Sequence, residues 1–496
     1  MANNNYSTSS GVESKFFNSI YPYGYNPYKL KLIDLIIGTA LFLIVFIGYI
    51  MTLTPSVGAG DNGELTTTLY NMGAGHPPGY PLFGIVGKLF TFLPVGDIAY
   101  RVNLFVAFFG AGASLFLYLF SVKLLGLNRD NGKLNFFIHF PAIAASFSFG
   151  FSYSHWGQSV GGEVYPLNVF LVSLMLFVMY LWYEEMIYFR MEDELHFAER
   201  RTLLLFFVMG LSLTNHQLPL WYIVAYGVVL LPVTVIIVVL DRTKKFKEEF
   251  SNRVFAFFIL GVTALITAGF FVDFGFVKRL LFQKDVPEVL TTIFLVPSFL
   301  TFYTIFVKFI KPEKNWVDKF FEILAYGSWL FIFALSIYLY LWVRAKALAP
   351  LPDPKPLSWG DTQRLDILFN HMLRKQYGIG GGRDLNYALG QWLVVFKYHF
   401  EQFHFTQFIF IVIGFIYLFL KERIWATFSI VAMFFLNLAL VWFINFELDV
   451  RTVFFQEVFF IQNFLFLGLF LAFGYQFVLD IVNWLSARIK ILPKKG

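Results

Sequence analysis

The chain contains no cysteine among its 496 residues, and only 14% of its residues are charged. Without a thiol, the protein can form neither a disulfide framework nor a metal site built on thiolates. Soluble domains carry about 25% charged and about 45–50% apolar residues, whereas 58% of this chain is hydrophobic. The composition therefore indicates a multi-pass membrane protein. The net charge of +6 calls for no nucleic-acid partner, because basic loops on one side of a membrane account for it.

The first thirty residues lack the apolar core of a signal peptide, being polar and rich in Tyr and Asn. Beyond them, apolar runs of about 20 residues, the length that crosses a bilayer, predict an all-α polytopic membrane protein with about twelve transmembrane helices. The runs lie near residues 33–53, 101–122, 136–153, 165–183, 202–218, 219–240, 254–274, 289–310, 320–343, 404–420, 424–444 and 454–484. The segment 81–93 is shorter and contains Gly and Pro, so we expect an interfacial or re-entrant segment there.

Lys and Arg recur in alternate loops, which places those loops and both termini in the cytoplasm by the positive-inside rule. The loops between them, including 54–80 and 445–453, then face outward. Four parts result: a cytoplasmic tail at 1–30, a membrane core at 31–343 with a first extracytoplasmic loop at 54–100, an extracytoplasmic loop at 344–403, and C-terminal spans with a short basic tail at 404–496. Within the long loop, Asp361 is the expected N-cap of an amphipathic helix that ends near Gly378.

Residues suited to chemistry gather in the outward loops. Asp61 and Glu64 follow the first span, and His76-Pro77-Pro78-Gly79-Tyr80 comes a dozen residues later. Carboxylates beside hydrocarbon are costly and therefore indicate a functional site. Further outward candidates are Arg101, Asn103, Glu163, Tyr165, Asn168, Asn215, His216, Trp359, Asp361 and Arg451. Because these loops are far apart in sequence but share one face, they predict a single extracytoplasmic cavity.

Structural roles remain open for the first group. Asp61 could cap the helix that follows it, with Glu64 reaching back to a free backbone N–H as in a capping box. Pro77 and Pro78 could simply end that helix and turn the chain. His76 alone is more often structural than catalytic.

Structural roles are open for the other candidates as well. Asn215 and His216 lie where one predicted span turns into the next and could cap a helix end. Arg101 and Arg451 could snorkel to the interface. Arg451 also has acidic neighbours within 445–450, so a local ion pair competes with a role in binding.

In this order and on this topology, the motifs resemble those of the GT-C superfamily of membrane glycosyltransferases. The acidic pair and His76-Pro77-Pro78-Gly79 are similar to the Asp-Glu and His-Pro-Pro-Leu-Gly elements of protein O-mannosyltransferases. The closer resemblance is to a bacterial family related to the vertebrate enzyme that O-mannosylates receptor ectodomains, and it runs from about residue 50 to 470. Its further motifs are Arg101-Val102-Asn103-Leu104, Glu163-Val164-Tyr165, Asn215-His216, Ser358-Trp359-Gly360-Asp361 and Arg374-Lys375-Gln376-Tyr377-Gly378.

The chain departs from these families at two places. Asn62 and Gly63 separate the acidic residues that are adjacent in the mannosyltransferases, which leaves the role of Glu64 open. Related sequences read Arg-Asp-Tyr-Phe-Phe near the end, whereas this chain has Thr452 after Arg451. A second carboxylate is therefore missing there.

The resemblance implies inverting transfer of mannose or another hexose from a polyprenyl-phosphate donor to a hydroxyl of a secreted or envelope protein, at the periplasmic face of a bacterial inner membrane. Asp61 is then the general base, and Glu64 is the second catalytic candidate. Arg451 is the candidate for the donor phosphate, while the other residues orient donor or acceptor. The spacing specifies no metal ion, although it leaves a divalent one open, and membrane lipids are the remaining partner.

Two other functions stay open. Twelve spans with both termini inside also fit a transporter or a lipid-sugar flippase, although such a protein should carry its polar site near the bilayer midplane. A non-catalytic subunit of an envelope assembly is the other alternative.

Overall fold

The computed structural model describes residues 27–126, 136–188, 198–236, 286–310, 316–353, 355–377 and 384–491, which form helices and no strand. The predicted all-α class is confirmed. Two features predicted from the sequence, the span at 254–274 and the helix end at Gly378, lie outside the described residues.

Six helices within these ranges are long and apolar enough to cross a membrane, or seven if one bent pair counts as a single span. The six are Leu32–Met51, Ile98–Leu125, Tyr165–Ile187, Asp318–Leu348, Arg423–Trp442 and Val450–Ser486. Shorter apolar helices, including Phe137–Gly150 and Leu220–Ile236, occupy other predicted runs. A total of twelve spans stays a prediction.

The helices before residue 237 begin and end as follows: α1 Leu32–Met51, α2 Asn62–Asn71, α3 Pro81–Phe90, α4 Ile98–Leu125, α5 Phe136–Gly150, α6 Tyr153–Ser159, α7 Tyr165–Tyr188, α8 Glu199–Leu213 and α9 Leu220–Ala225. A π-helical turn, Tyr226–Leu230, continues α9. Helix α4 is buried over most of its length and packs against α1, α5 and α7. Small residues permit this close approach, since a Cβ at Gly112 would lie 2.8 Å from the Phe170 ring of α7.

The later helices are α10 Val286–Ile310, α11 Trp316–Leu335, α12 Leu339–Leu348, α13 Leu365–Met372, α14 Leu385–Glu401, α15 Phe405–Lys421, α16 Arg423–Phe434, α17 Leu440–Ile444, α18 Val450–Gln456 and α19 Phe464–Ile491. Single turns of 3-10 or π-helix link several of them, among them the turn Glu457–Asn463 between α18 and α19. Helix α19 packs along α15, and Gly414 makes their contact close because a Cβ there would overlap the backbone at Phe470.

Two short helices connect α1 to α4 and carry the first candidate residues. Helix α3 has ten residues, about 15 Å of α-helix, while the hydrocarbon core is about 30 Å thick. The structure therefore agrees that 81–93 is too short to cross, and its re-entrant character stays a prediction.

The helix predicted to begin at Asp361 is shorter than expected. It runs from Leu365 to Met372, and its N-cap is Arg364. The Asp361 carboxylate instead accepts a hydrogen bond from the Gln363 side chain at 2.6 Å. The preceding residues are tied to other parts of the chain instead, with Trp359 N–H donating to the Ala74 carbonyl at 2.9 Å and the Thr362 hydroxyl donating to the Leu341 carbonyl at 3.1 Å.

Helix α14 meets α15 at a bend of 104°. Its exposed apolar residues recur at helical spacing along one face: Leu385, Leu389, Leu393, Phe396 and Phe400. Its other side contacts the 3-10 turn Glu457–Asn463. This arrangement is an amphipathic helix at a steep angle to the predicted span that follows it.

Candidate active site

The Glu64 carboxylate binds the turn that follows α2. It accepts the backbone N–H of His76 at 2.7 Å, and both of its oxygens lie 3.1 Å from His76 Nδ1. Glu64 therefore does not reach back to Asp61, whose N–H faces Glu163 Oε1 at 3.3 Å instead. The capping-box alternative is wrong, because the Asp61 side chain makes no capping hydrogen bond either.

The His76 ring is held at both nitrogens. Nδ1 faces Glu64, and Nε2 lies 2.8 Å from the Tyr80 hydroxyl. Burial raises the pKa of Tyr80 well above that of a free tyrosine. Its hydroxyl therefore stays protonated and donates a hydrogen bond to Nε2. In its neutral form the ring then carries its own proton on Nδ1 and donates to Glu64.

The turn between α2 and α3 brings this chain of hydrogen bonds together. It contains the cis peptide bond between Pro77 and Pro78, and Gly79 N–H donates to the His76 carbonyl at 2.8 Å. His371 of α13 closes over the turn, with Nε2 3.0 Å from the Gly75 carbonyl. Local chain reversal and a distant helix together position His76.

The Asp61 carboxylate is the accessible group of the cluster. Its side chain is 58% exposed, and Oδ2 lies 3.9 Å from His76 Nε2. No capping bond competes for its oxygens. An acceptor hydroxyl approaching from outside could therefore reach this carboxylate directly.

Glu163 brings a third carboxyl group from the loop before α7. It is partly buried, and its pKa is raised to about 8, first by burial and then by the Asp61 carboxylate, against the lowering effect of the Asp61 N–H. Below that pH Glu163 is protonated. The site then avoids placing three ionised carboxylates side by side.

Asn103 of α4 fastens the two loops that carry these carboxyl groups. Its Oδ1 accepts from Asn62 Nδ2 at 2.9 Å and from Gly162 N–H at 2.8 Å. Its Nδ2 donates to the carbonyls of Thr54 and Ser56 at 2.8 and 2.9 Å. Because the side chain is fully buried and uses both polar groups in this way, it acts as a scaffold.

An aromatic wall stands beside Tyr80. The His216 ring stacks on Tyr80 with centroids 6.0 Å apart, and lies 5.6 Å from Tyr165 and 6.2 Å from Phe459. His216 is 2% exposed, and burial lowers its pKa well below the usual value. Its Nδ1 accepts Leu218 N–H at 3.2 Å, so the neutral ring carries its proton on Nε2.

The side chains of Asn215 and Asn168 hold the segments that carry these aromatic rings together. Asn215 Nδ2 donates to the Val164 carbonyl at 3.2 Å, and Asn168 Nδ2 donates to Gln462 Oε1. Both side chains are buried. They hold the start of α7 against the 215–218 turn and against the turn before α19.

The loop at 344–403, which was predicted to face outward, contributes Trp359 to the cluster but not Asp361. The indole meets the His76 ring edge-on at a centroid distance of 6.5 Å and remains 42% exposed. Asp361 is exposed and contacts Gln363.

The contacts observed for Arg101 and Arg451 are with residues outside the cluster. The Arg101 guanidinium donates to the carbonyls of Thr91, Val95 and Gly96 at 2.8, 2.8 and 3.0 Å, so it closes the α3–α4 loop. Arg451 lies 5.9 Å over the Phe455 ring. The Asp449 carboxylate, which could have paired with Arg451, accepts backbone N–H groups and caps α18.

Arg374 was missed as a site residue. It follows α13 with φ of +55°, and its charge lowers the pKa of both Tyr80 and His216. The Arg374–Gly378 motif of the family resemblance was the one indication in the sequence that this residue has a role. The order of residues in the chain, however, does not say how far Arg374 lies from the cluster.

Asp61, Glu64 and His76 also offer three ligand atoms within 4.8 Å of one another. Carboxylates and imidazole suit several divalent ions. In the present geometry, however, both ring nitrogens of His76 already face hydrogen-bond partners. A cation could use this imidazole only by displacing Tyr80 from Nε2 or the proton from Nδ1.

Residues 61–237 match the family described as "Protein O-mannosyl-transferase TMEM260 N-terminal domain". A mouse protein named Protein O-mannosyl-transferase TMEM260 is 38% identical over 138 residues, which cover 28% of this chain and 18% of the mouse protein. A Dictyostelium discoideum protein of the same name is 31% identical over 183 residues, 36% of this chain and 21% of the relative. The alignments thus span about a fifth of these curated relatives. No solved structure matches the chain.

The predicted resemblance to the vertebrate O-mannosyltransferase is confirmed over the matched part. That part contains the candidates from Asp61 to His216 and leaves out Trp359, Asp361 and Arg451. Both relatives are eukaryotic, so they give no support to the predicted bacterial inner membrane.

Proposed function

We propose that this chain, with its O-mannosyltransferase-like segment at 61–237, is a membrane glycosyltransferase. It transfers a hexose, mannose in the first instance, from a polyprenyl-phosphate donor to a hydroxyl of a protein acceptor. The site faces the extracytoplasmic side, and both termini lie in the cytoplasm. A bacterial inner membrane remains part of the proposal, on the strength of the sequence resemblance alone.

The observation that carries the proposal is the Asp61 carboxylate. It is exposed and 3.9 Å from an imidazole whose other nitrogen is held by Glu64. A carboxylate in this position can take the proton of an acceptor hydroxyl as the new bond forms. Glu163, protonated below about pH 8, adds no third negative charge beside Asp61 and Glu64 to oppose the approach of the donor phosphate.

The reaction balances without a redox partner. The acceptor oxygen bonds to the anomeric carbon on the face opposite the phosphate, while the bond from that carbon to the phosphate oxygen breaks. The hydroxyl proton passes to Asp61, and the electron pair leaves with the polyprenyl phosphate. Attack from the opposite face inverts the anomeric centre.

The remaining residues hold this arrangement. Glu64 acts through His76 and is a positioning residue in this scheme, which gives it a role despite its separation from Asp61. The Trp359 ring, which is 42% exposed beside His76, is a surface on which a sugar could stack, while the buried Tyr80 holds the His76 ring through its hydroxyl. Asn103, Asn168 and Asn215 keep the loops in register.

A transporter or flippase is less well supported, because the clustered side chains lie at helix ends and in the turns between helices. They come from the ends of α2, α3, α7 and α8, whereas a transport site is expected near the bilayer midplane. No observation favours a non-catalytic subunit.

The test is transfer by the purified protein. The full chain is reconstituted in nanodiscs with radiolabelled polyprenyl-phosphate mannose and a mixture of extracytoplasmic acceptor proteins, and hexose-bearing peptides are identified by mass spectrometry. Label in protein with wild type, and none with Asp61→Asn, is the expected result. Donor that crosses the bilayer without any glycosylated product would instead indicate a flippase.

A further inference from the structure

Arg374 lies beside the site because three contacts fix the segment that carries it. Its backbone N–H donates to the His371 carbonyl at 3.1 Å. The His371 ring meets the Gly75 carbonyl at 3.0 Å, which ties this segment to the turn before Tyr80. The Gln217 side chain donates to the Met372 carbonyl, which ties it to the 215–218 turn.

The Arg374 side chain is a partly buried cation. Its guanidinium lies 4.8 Å from the centre of the Tyr377 ring, a cation–π contact that leaves its charge uncompensated. In the described part of the chain, no carboxylate forms an ion pair with it. Arg101, by comparison, uses its donors on three carbonyls, and Arg201 is paired with Glu185 at 2.6 Å.

The charge of Arg374 affects the pKa of both stacked rings, Tyr80 and His216. Burial is the main cause of the raised pKa of Tyr80, and Arg374 opposes it. Burial is also the main cause of the lowered pKa of His216, and Arg374 adds to it. A cation that is partly removed from water and has no counter-ion gains from an anionic ligand, so the position of Arg374 beside the candidate site suits one.

We propose that Arg374 binds the phosphate of the polyprenyl-phosphate donor. This inference rests on the transfer reaction proposed above and replaces Arg451 in that role. A guanidinium offers paired, planar donors that match two phosphate oxygens. As the bond from the anomeric carbon to the phosphate oxygen breaks, negative charge grows on that phosphate, and a fixed cation stabilises it.

The test measures binding of polyprenyl phosphate that carries no sugar, so that turnover is not required. The full-length protein in nanodiscs is titrated with this lipid as wild type, Arg374→Gln and Arg374→Lys, with Arg451→Gln as the matched control. A hydrogen-bonded contact between charged groups contributes about 1.5–3 kcal/mol, so Arg374→Gln should weaken binding about 10- to 100-fold. Arg374→Lys should fall between, and Arg451→Gln should stay within about twofold.

The outcomes separate the two proposals. Equal affinity in wild type and Arg374→Gln would overturn the role of Arg374 and leave the transfer reaction standing. Failure of the wild type to bind the lipid phosphate at all would overturn the donor class itself. Polyprenol without phosphate distinguishes a folding defect, because its binding should be the same in all four proteins. Loss of polyprenol binding in Arg374→Gln, together with normal lipid-phosphate binding in Arg374→Lys, would count against the proposal.

Discussion

Replacement of Asp61 distinguishes a catalytic role of its carboxylate from a role as a helix cap. The Asp61 side chain is 58% exposed and caps nothing, and its hydrogen bond to Glu163 comes from the backbone, which any substitution retains. Surface changes of this kind stay within about 0.5 kcal/mol of stability. Asp61→Asn and Asp61→Ala should therefore unfold at nearly the wild-type temperature.

The effect of the same changes on turnover should be far larger. Loss of general base catalysis typically slows a reaction about 10²–10⁴-fold, which corresponds to about 3–5 kcal/mol of transition-state stabilisation. Since this exceeds the expected stability change about tenfold, the two effects can be told apart. The assay is transfer from polyprenyl-phosphate mannose, normalised to folded protein.

Asp97 supplies the matched control. It lies in the same segment between α1 and α4 as Asp61, but its carboxylate accepts Tyr100 N–H at 2.7 Å and caps α4. The hydrogen bond from Ser56 is the main reason that its pKa lies below the usual range. Asp97→Ala should cost about 1 kcal/mol of stability and leave turnover per folded molecule unchanged. Normal turnover in Asp61→Asn, or a loss that merely follows the folded fraction, would refute the role of Asp61 as base.

Three further outcomes are expected. Because the pKa of Glu163 rises from 4.5 to about 8 on folding, the stabilisation from its protonation is fully present below about pH 4.5 and is lost as the pH rises to about 8. Wild type should therefore lose stability relative to Glu163→Gln over this interval, by up to about tenfold in the unfolding equilibrium per pH unit, and parallel melting curves would contradict this. Because both ring nitrogens of His76 are engaged, exhaustive chelation should leave transfer within about twofold, whereas a loss restored by Mn²⁺ would show that a cation enters the cluster. Single cysteines at the exposed positions Val57 and Lys355 should react with an impermeant thiol reagent from outside and one at Ser486 only from inside, and the reverse pattern would overturn the orientation of the site.

The clustering of the polar residues in the loop after α1 could be predicted from the sequence, while the hydrogen bonds between them could not. Asp61, Glu64, His76 and Tyr80 do come together, as the cost of charges near hydrocarbon suggested. The spacing of Asp61 and Glu64 is equally suitable for a capping box, however. Which bond Glu64 makes depends on the path of the chain through the prolines, and periodicity carries no information about that path.

The cations show a second limit of the sequence. Arg101, Arg374 and Arg451 all fall on the predicted outer side, because alternation of basic loops assigns a side to each loop. It assigns no distance within that side. The nearness of Arg374 depends on the packing of His371 and Gln217, contacts between residues far apart in the chain. The start of α13 at Leu365 was likewise not predicted, because the segment before it makes hydrogen bonds to distant parts of the chain, at Ala74 and Leu341.

The bend between α14 and α15 relates the depth of the site to the level of the lipid headgroups. A helix with one apolar face, set at 104° to a predicted span, is stable where hydrocarbon meets water. Just beyond α14, the Gln402 side chain bonds Glu457 at 2.8 Å, and Phe459 in the same turn touches the ring of His216. Through these contacts, a position of α14 at the membrane surface would fix the depth of the site relative to one leaflet. A lipid-linked sugar presented at that leaflet would meet the carboxylates at a constant height, however thick the membrane beneath them.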